Sequence, residues 1–372
     1  MTNKIHPELF KQVSTLSNSN IDCFVYAKNY ENAKQQLDKC NIKYIAYPFM
    51  QCFYTCIPYS KIIEVCKYSS IEFITKTTTV FTLVDKAKLF MNIHKLNCTY
   101  LKAPTIAFID TGISPHLDFL LPYNQIIHFK DLINNRTLPY DDNGHGTFIA
   151  GVCSGSGVCS QFKYSGIVPK CNIVMIKALD KSGETNSQTI LNAMQYIYDI
   201  RKKYNIKVVC MSFGADYSGF NDPLQKGALA LWNGGLVVVA AAGNSGPESK
   251  SIKSPGTSSR IITVGGLDDG RTDGEIKIAN FSSRGPVDNK FKPDIIAPSV
   301  DITSTSYNYK NGFYTTMSGT SVAAPMIAGV CAILCTQNPH ASPDKIKHIL
   351  LNMCKPLTHN KNDEGFGYIK VD

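Results

Sequence analysis

Four side chains in this 372-residue sequence stand where they could do acyl chemistry. Asp110 ends the apolar run Thr105-Ile106-Ala107-Phe108-Ile109 and precedes Thr111-Gly112. A carboxylate at the tip of a buried strand is costly to desolvate unless a cation or N–H donors meet it. His145 lies in Asp141-Asp142-Asn143-Gly144-His145-Gly146-Thr147, between glycines that clear space around the ring, where a polar loop runs into the apolar stretch Phe148 to Val152. Ser321, in Met317-Ser318-Gly319-Thr320-Ser321-Val322-Ala323-Ala324-Pro325, opens the helical run Met326 to Leu334. The positive end of a helix and its free N–H groups favour negative charge developing there. Asn244, in Ala242-Gly243-Asn244-Ser245-Gly246, follows another apolar run and offers an amide donor. Singly, each has a plainer reading as a turn, a surface histidine or a helix cap. Together they follow in the order Asp, His, Asn, Ser, each at a strand end or a helix start, and include a candidate nucleophile and a candidate oxyanion donor, a joint arrangement more specific than any one of them.

These groups need a frame that brings distant residues to one rim. From Pro104 onward, short apolar runs (Ile106 to Asp110, Ile173 to Ala178, Val208 to Ser212, Leu236 to Ala241, Ile261 to Val264) alternate with the helical stretches Thr189 to Lys203 and Pro223 to Asn233. Strands with near-continuous β-branched runs are buried on both faces, so the pattern predicts a parallel α/β sheet with crossover helices. Ligands bind such sheets at the carboxyl ends of the strands, where the four candidates fall. Ahead of this, residues 1–76 read β-α-β-β-α-β, a small ferredoxin-like α+β unit, and 77–100 read as a linker into a second domain over 101–372.

Composition narrows the classes. An apolar fraction of 44% with 18% charged residues excludes disorder, collagen and coiled coil. The net charge of +9 comes without a dense Lys/Arg run, so no nucleic-acid partner is expected. The longest uninterrupted apolar run, Leu236 to Ala242, falls far short of the roughly 20 residues that cross a bilayer, and no membrane association is expected. Met1 to Ser14 lacks the basic start and apolar core of a secretory signal, and the 13 scattered cysteines suit a reducing compartment; both predict a cytoplasmic protein.

With these motifs in hand, the chain resembles the subtilisin-like serine proteases, or subtilases, over about 100–372. The resemblance rests on Ile109-Asp110-Thr111-Gly112, Asn143-Gly144-His145-Gly146-Thr147, Ala242 to Gly246 and Gly319 to Pro325, supported by Met211 to Gly214, Phe281 to Gly285 and Lys292-Pro293-Asp294 to Pro298. The order Asp, His, Ser is the one known for subtilisin. The resemblance implies a subtilisin-like parallel sheet with helices on both faces and a serine endopeptidase acting on polypeptides. Ser321 would be the nucleophile, His145 the base, Asp110 its orienting acid and Asn244 the oxyanion donor. It also implies an edge at Ser212, Phe213 and Gly214 that pairs with substrate backbone, and an S1 wall at Ala241, Ala242 and Gly243. The N-terminal unit resembles the propeptide of many subtilases, an intramolecular chaperone and inhibitor made as part of a zymogen and cut between Lys76 and Lys86. No cofactor is required and no metal ligand is assigned. A structural calcium ion is the one ion the resemblance allows, although Cys153 to Gly166 contains no Asp or Glu to hold it in the commonest place. The free cysteines and missing signal match the intracellular branch. Phe148, Val322, Ala324 and Met326 depart from the residues frequent in the family, which touches pocket shape rather than the reaction. A catalytically dead binding protein would have lost a member of the set. An ester hydrolase of the α/β class would carry a G-x-S-x-G elbow, which Ser321 lacks.

Overall fold

The computed structural model describes residues 4–5, 20–76, 86–96, 104–219, 221–270, 274–308 and 312–371. The chain divides into two compact units, Met1–Phe81 and Thr82–Asp372.

In the first unit, strands β1 (Asn20–Ala27), β2 (Tyr44–Tyr47), β3 (Cys52–Pro58) and β4 (Ile71–Lys76) form an antiparallel sheet in the order β2-β3-β1-β4. Helices α1 (Tyr30–Lys39) and α2 (Tyr59–Cys66) make the two crossovers. Cys23, Val25 and Ala27 alternate inward from β1, while Ala33 and Leu37 stand one turn apart on α1, so sheet and helix bury a common face. Asn29 caps α1 by accepting from the Asn32 N–H at 3.1 Å. This is the split β-α-β-β-α-β arrangement expected from the sequence.

The second unit is built on a mostly parallel sheet. Its strands are β5 (Thr105–Asp110), β6 (Ile126–Asp131), β7 (Asn172–Lys177), β8 (Ile206–Met211), β9 (Val237–Ala241), β10 (Ile262–Asp269), β11 (Ile276–Ile278), β12 (Ile295–Pro298), β15 (Cys354–Lys355) and β16 (Tyr368–Ile369). They run in the order β15-β16-β12-β10-β9-β8-β5-β7-β6, with β11 antiparallel on β10. β13 (Ile302–Thr305) and β14 (Tyr314–Met317) form a separate hairpin. All of β5 and β9 is buried, as strands covered on both faces must be. Around the sheet lie α3 (Lys86–Phe90), α4 (Leu117–Leu120), α5 (His145–Ser154), α6 (Ser187–Ile200), α7 (Pro223–Asn233), α8 (Thr320–Gln337), α9 (Pro343–Asn352) and α10 (Lys361–Glu364).

Two expectations change. The segment 77–100 is not all linker: Ala87 and Met91, at and just beyond α3, and Ile93 after it are buried in the core of the second unit. Three apolar residues at that spacing pack rather than bridge. The cleavage point expected between Lys76 and Lys86 falls on 77–85, outside the described residues. Second, α8 is by length and composition apolar enough to cross a bilayer, a property that reading uninterrupted runs conceals because Thr, Pro and Gly break it. Its side chains are instead buried along the helix against β8, β9, β10 and α5, so it is the core helix of this unit.

A buried ionic cluster ties the far end of the sheet. The Lys292 ammonium meets Asp294 Oδ2 at 2.5 Å and Thr263 Oγ1 at 2.8 Å, and Lys347 meets Asp294 Oδ1 at 2.7 Å. Burial pushes the Lys292 ammonium down to about 8 despite Asp294. The Asp294 carboxyl is held below its ordinary range, because the two lysines outweigh the burial that opposes them. Removing one partner of such a group strands buried charge. Asp294→Ala is therefore expected to cost about 3–5 kcal/mol, read from the urea midpoint; a loss under about 1 kcal/mol would show the cluster to be dispensable.

Candidate active site

The imidazole of His145 is positioned by a web that satisfies every free N–H at the start of α5. Asn143 Oδ1 accepts from the His145 N–H at 3.1 Å, Thr111 Oγ1 from Gly146 at 2.8 Å and Asp141 Oδ2 from Thr147 at 2.9 Å. The other oxygen of Asp141 accepts from Gly144 N–H at 2.9 Å and Thr111 Oγ1 at 3.0 Å. Two glycines permit the approach. Gly144 has φ +107, and a Cβ there would lie 2.4 Å from the Tyr307 ring; one on Gly146 would lie 2.2 Å from the Gly112 carbonyl oxygen. Any larger residue at 146 would push α5 away from the tip of β5.

That tip carries Asp110, only 2% exposed. Its Oδ1 accepts from the Thr111 N–H at 2.7 Å and meets His145 Nδ1 at 2.7 Å. The desolvation anticipated for this carboxylate is thus offset by one backbone donor and one imidazole. Its neighbour in register, Lys177, is fully buried and donates to Thr111 and Leu179 carbonyls and to Asp142, bracing the loop from beneath. Burial alone would lower the His145 pKa, but the Asp110 charge, its hydrogen bond and the Asp141 charge together outweigh it, leaving the imidazole above its ordinary range.

Ser321 and Asn244 form the other half. Ser321 is the second residue of α8 and half-buried. Asn244 Oδ1 accepts from both the Thr320 N–H and the Thr320 hydroxyl, each at 2.9 Å, so the amide of Asn244 caps α8 from another loop. Since a backbone N–H can only donate, that contact fixes which end of the amide is oxygen and leaves Nδ2 on the open side. A Cβ built on Gly319, where φ is +152, would lie 3.2 Å from Asn244 Nδ2 and 3.2 Å from Ser321 Oγ. Both groups therefore border one small space. Gly243 N–H donates to Thr320 Oγ1 at 3.1 Å, which joins the Ala241–Gly243 segment to the same group.

The helices that carry the two halves, α5 and α8, pack on one another. Among the described residues, His145 Nε2 and Ser321 Oγ have no hydrogen-bond partner. Asp110, His145, Ser212, Phe213 and Gly214 line a common cleft of about 730 Å³. Thr111, Asp141 and Thr320 were not singled out from sequence. Each works through a contact to a residue far away in the chain or through a backbone N–H, so only Asp141, a charged residue beside the histidine loop, carried any signal. Thr320→Val is expected to lower kcat about tenfold with little change in KM, because Asn244 and Gly243 lose their shared hydroxyl, and Thr320→Ser should restore it. Equal kcat in Val and Ser variants would remove the hydroxyl from the account.

Among the described residues, one cluster has the composition of a metal site: His116, Asp118 and Cys159, with ligand atoms within 4.8 Å of one another. Calcium takes six to eight oxygens. Here one carboxylate already accepts from the Cys159 N–H at 3.0 Å and the Tyr314 hydroxyl at 2.7 Å, beside a ring nitrogen that accepts from the Asp118 N–H and a thiol. That donor set does not fit calcium; the cluster instead pins the loop after α5 to α4 and β14.

A family model described as the subtilase family, peptidase S8, matches residues 102–368. The serine protease AprX of Bacillus subtilis (strain 168) is 42% identical over 272 residues, which cover 68% of this chain and 61% of that protein. Thermitase of Thermoactinomyces vulgaris is 33% identical over 238 residues, 64% of this chain and 76% of that protein. The solved structure of Sphericase superposes with a TM-score of 0.64 at 26% identity, covering 79% of this chain and 100% of that one. The chain thus spans under two thirds of AprX, and with a family model matching 267 of its 372 residues, from 102 to 368, it belongs to the subtilase family of serine peptidases.

Proposed function

We propose that this chain is a serine endopeptidase that cleaves polypeptides through an acyl-enzyme. The observation that carries the reading is the pair of locked orientations: His145 Nδ1 on Asp110 at 2.7 Å, and Asn244 Oδ1 on Thr320 at 2.9 Å. The first leaves Nε2 as the free base nitrogen. The second leaves Nδ2 as a preorganised donor beside Ser321. As substrate fills the cleft, Ser321 Oγ attacks the scissile carbonyl while Nε2 takes its proton, an encounter that requires the two to come within about 2.6–3.2 Å. Asp110 stabilises the resulting imidazolium. Asn244 Nδ2 and the Ser321 N–H, free at the start of α8, receive the oxyanion. Nε2 then returns the proton to the leaving amine, and water repeats the sequence on the ester. Ser212 to Gly214 leads from the end of β8 into the cleft and would pair with the substrate backbone; Ala241 to Gly243 would flank its side chain.

The N-terminal unit acts in this reading as a chaperone and inhibitor that the enzyme removes itself. Its separate core and its β-α-β-β-α-β order support this. All twelve described cysteines are free thiols, which supports work in the reducing cytoplasm. A serine-directed fluorophosphonate tests the core of the proposal: the wild-type chain should label and Ser321→Ala should not. Intact mass after expression tests the processing: loss of the N-terminal unit in the wild type, and its retention in Ser321→Ala, are expected. A full-length wild-type chain that degrades substrate would remove the zymogen.

A further inference from the structure

Lys253 stands between the two segments that flank the substrate in this mechanism. Gly214 and Gly243 both face it: a Cβ built on Gly214 would lie 2.6 Å from Lys253 Cβ, and one on Gly243 would lie 2.5 Å from Lys253 Cγ. The backbone seats it there. The Lys253 N–H donates to the Ala242 carbonyl at 2.8 Å, and Ser254 exchanges two 2.9 Å hydrogen bonds with Ala215. The stem of Lys253 therefore floors the gap between the Ser212–Ala215 edge and the Ala241–Gly243 wall. Its ammonium reaches Asp216 Oδ1 at 2.6 Å, where the lysine is 30% and the aspartate 94% exposed.

The P1 side chain, on the acyl side of the scissile bond, leaves the carbon next to the carbonyl that Asn244 and Ser321 hold, so this gap is where it must go. We propose that Lys253 makes the site select a carboxylate at P1, glutamate above all, over a large apolar or a basic residue; this rests on the protease reading above. The stem occupies the depth that an aromatic ring would need, and the ammonium can meet a carboxylate in a charge-assisted hydrogen bond. Asp216 does not cancel it. A carboxylate so exposed is held by a solvent-screened pair of little strength and yields to a substrate carboxylate at small cost. The other nearby acid, Asp222, is engaged by the Ser218 N–H and hydroxyl, the Gln225 N–H and the Ser254 hydroxyl. A basic P1 side chain meets an ammonium at the floor.

The test is kcat/KM on three peptide p-nitroanilides that differ only in P1: Glu, Phe and Lys. The wild type is expected to favour Glu over both by about tenfold, the order of one charge-assisted hydrogen bond. Lys253→Met keeps the stem and removes the charge, so the preference for Glu should vanish without a gain on Phe. Lys253→Ala opens the gap, and cleavage after Phe should rise about tenfold. Asp216→Asn removes the competitor and should raise cleavage after Glu alone. A wild type that prefers Phe to Glu, or a Lys253→Met variant with an unchanged Glu-to-Phe ratio, overturns the assignment and leaves the protease standing. No Ser321-dependent cleavage of any of the three would overturn both.

Discussion

Ser321→Ala should reduce turnover on a peptide substrate by about 10⁶-fold while leaving the fold intact, the size known for loss of the nucleophile in a subtilisin. The expectation follows from placement. Ser321 is half-buried at the second position of α8, and its backbone is held by the helix rather than by its own side chain, because Asn244 caps the preceding Thr320. Removing the hydroxyl leaves that cap, the proposed oxyanion donors and the Asp110–His145 pair untouched, so nothing but the proposed attacking oxygen is lost. Steady-state hydrolysis together with a thermal melt checks it. A melt shifted by many degrees would mean that the serine serves structure, and activity within a hundredfold of wild type would show that another group attacks.

Asp110→Asn is expected to lower kcat/KM by about 10⁴-fold and to move the acid limb of its pH profile downward. His145 must be neutral to accept a proton. In the wild type burial is outweighed by the Asp110 charge and hydrogen bond together with the Asp141 charge, which raise the imidazole above its ordinary range, so the proposed activity is expected to be lost as pH falls through that raised value. With the charge gone, burial becomes the dominant influence and favours the neutral ring, so protonation is deferred to lower pH. The carboxamide also presents an N–H₂ or a neutral carbonyl to Nδ1, which no longer enforces the tautomer that leaves Nε2 free. A smaller rate with a limb moved to lower pH is the expected pair of results. A limb that stayed in place would detach the titrating group from Asp110.

Much of this arrangement was legible before any fold was known. The strand Thr105 to Asp110 announces itself by an unbroken apolar run ending in an acid, and His145 and Ser321 by polar loops running into apolar helices. The first unit's six elements followed from alternation in β1 and from four-residue spacing in α1. Other features left little local trace. β6 and the β13–β14 hairpin mix polar and apolar residues because each is partly exposed, so neither period stands out. Residues 86–96 looked like a linker because five residues of helix make too short a pattern to read, although Ala87, Met91 and Ile93 are core.

The amino-acid order by itself pointed to the side chains that the proposed acyl transfer would use, placed each beside a strand end or helix start, and marked a small separate unit ahead of them. Those are properties of short segments, set by periodicity and by the glycines that bound them. Tertiary structure alone decided how those groups point. That Thr320 turns the Asn244 amide, that Thr111 meets the start of α5, and that Lys253 lies between Gly214 and Gly243 are consequences of chain segments meeting across 76, 35 and 39 or 10 residues. A hydrogen bond or a steric contact depends on distances of a few ångströms, and residue spacing does not encode such distances until packing has fixed them.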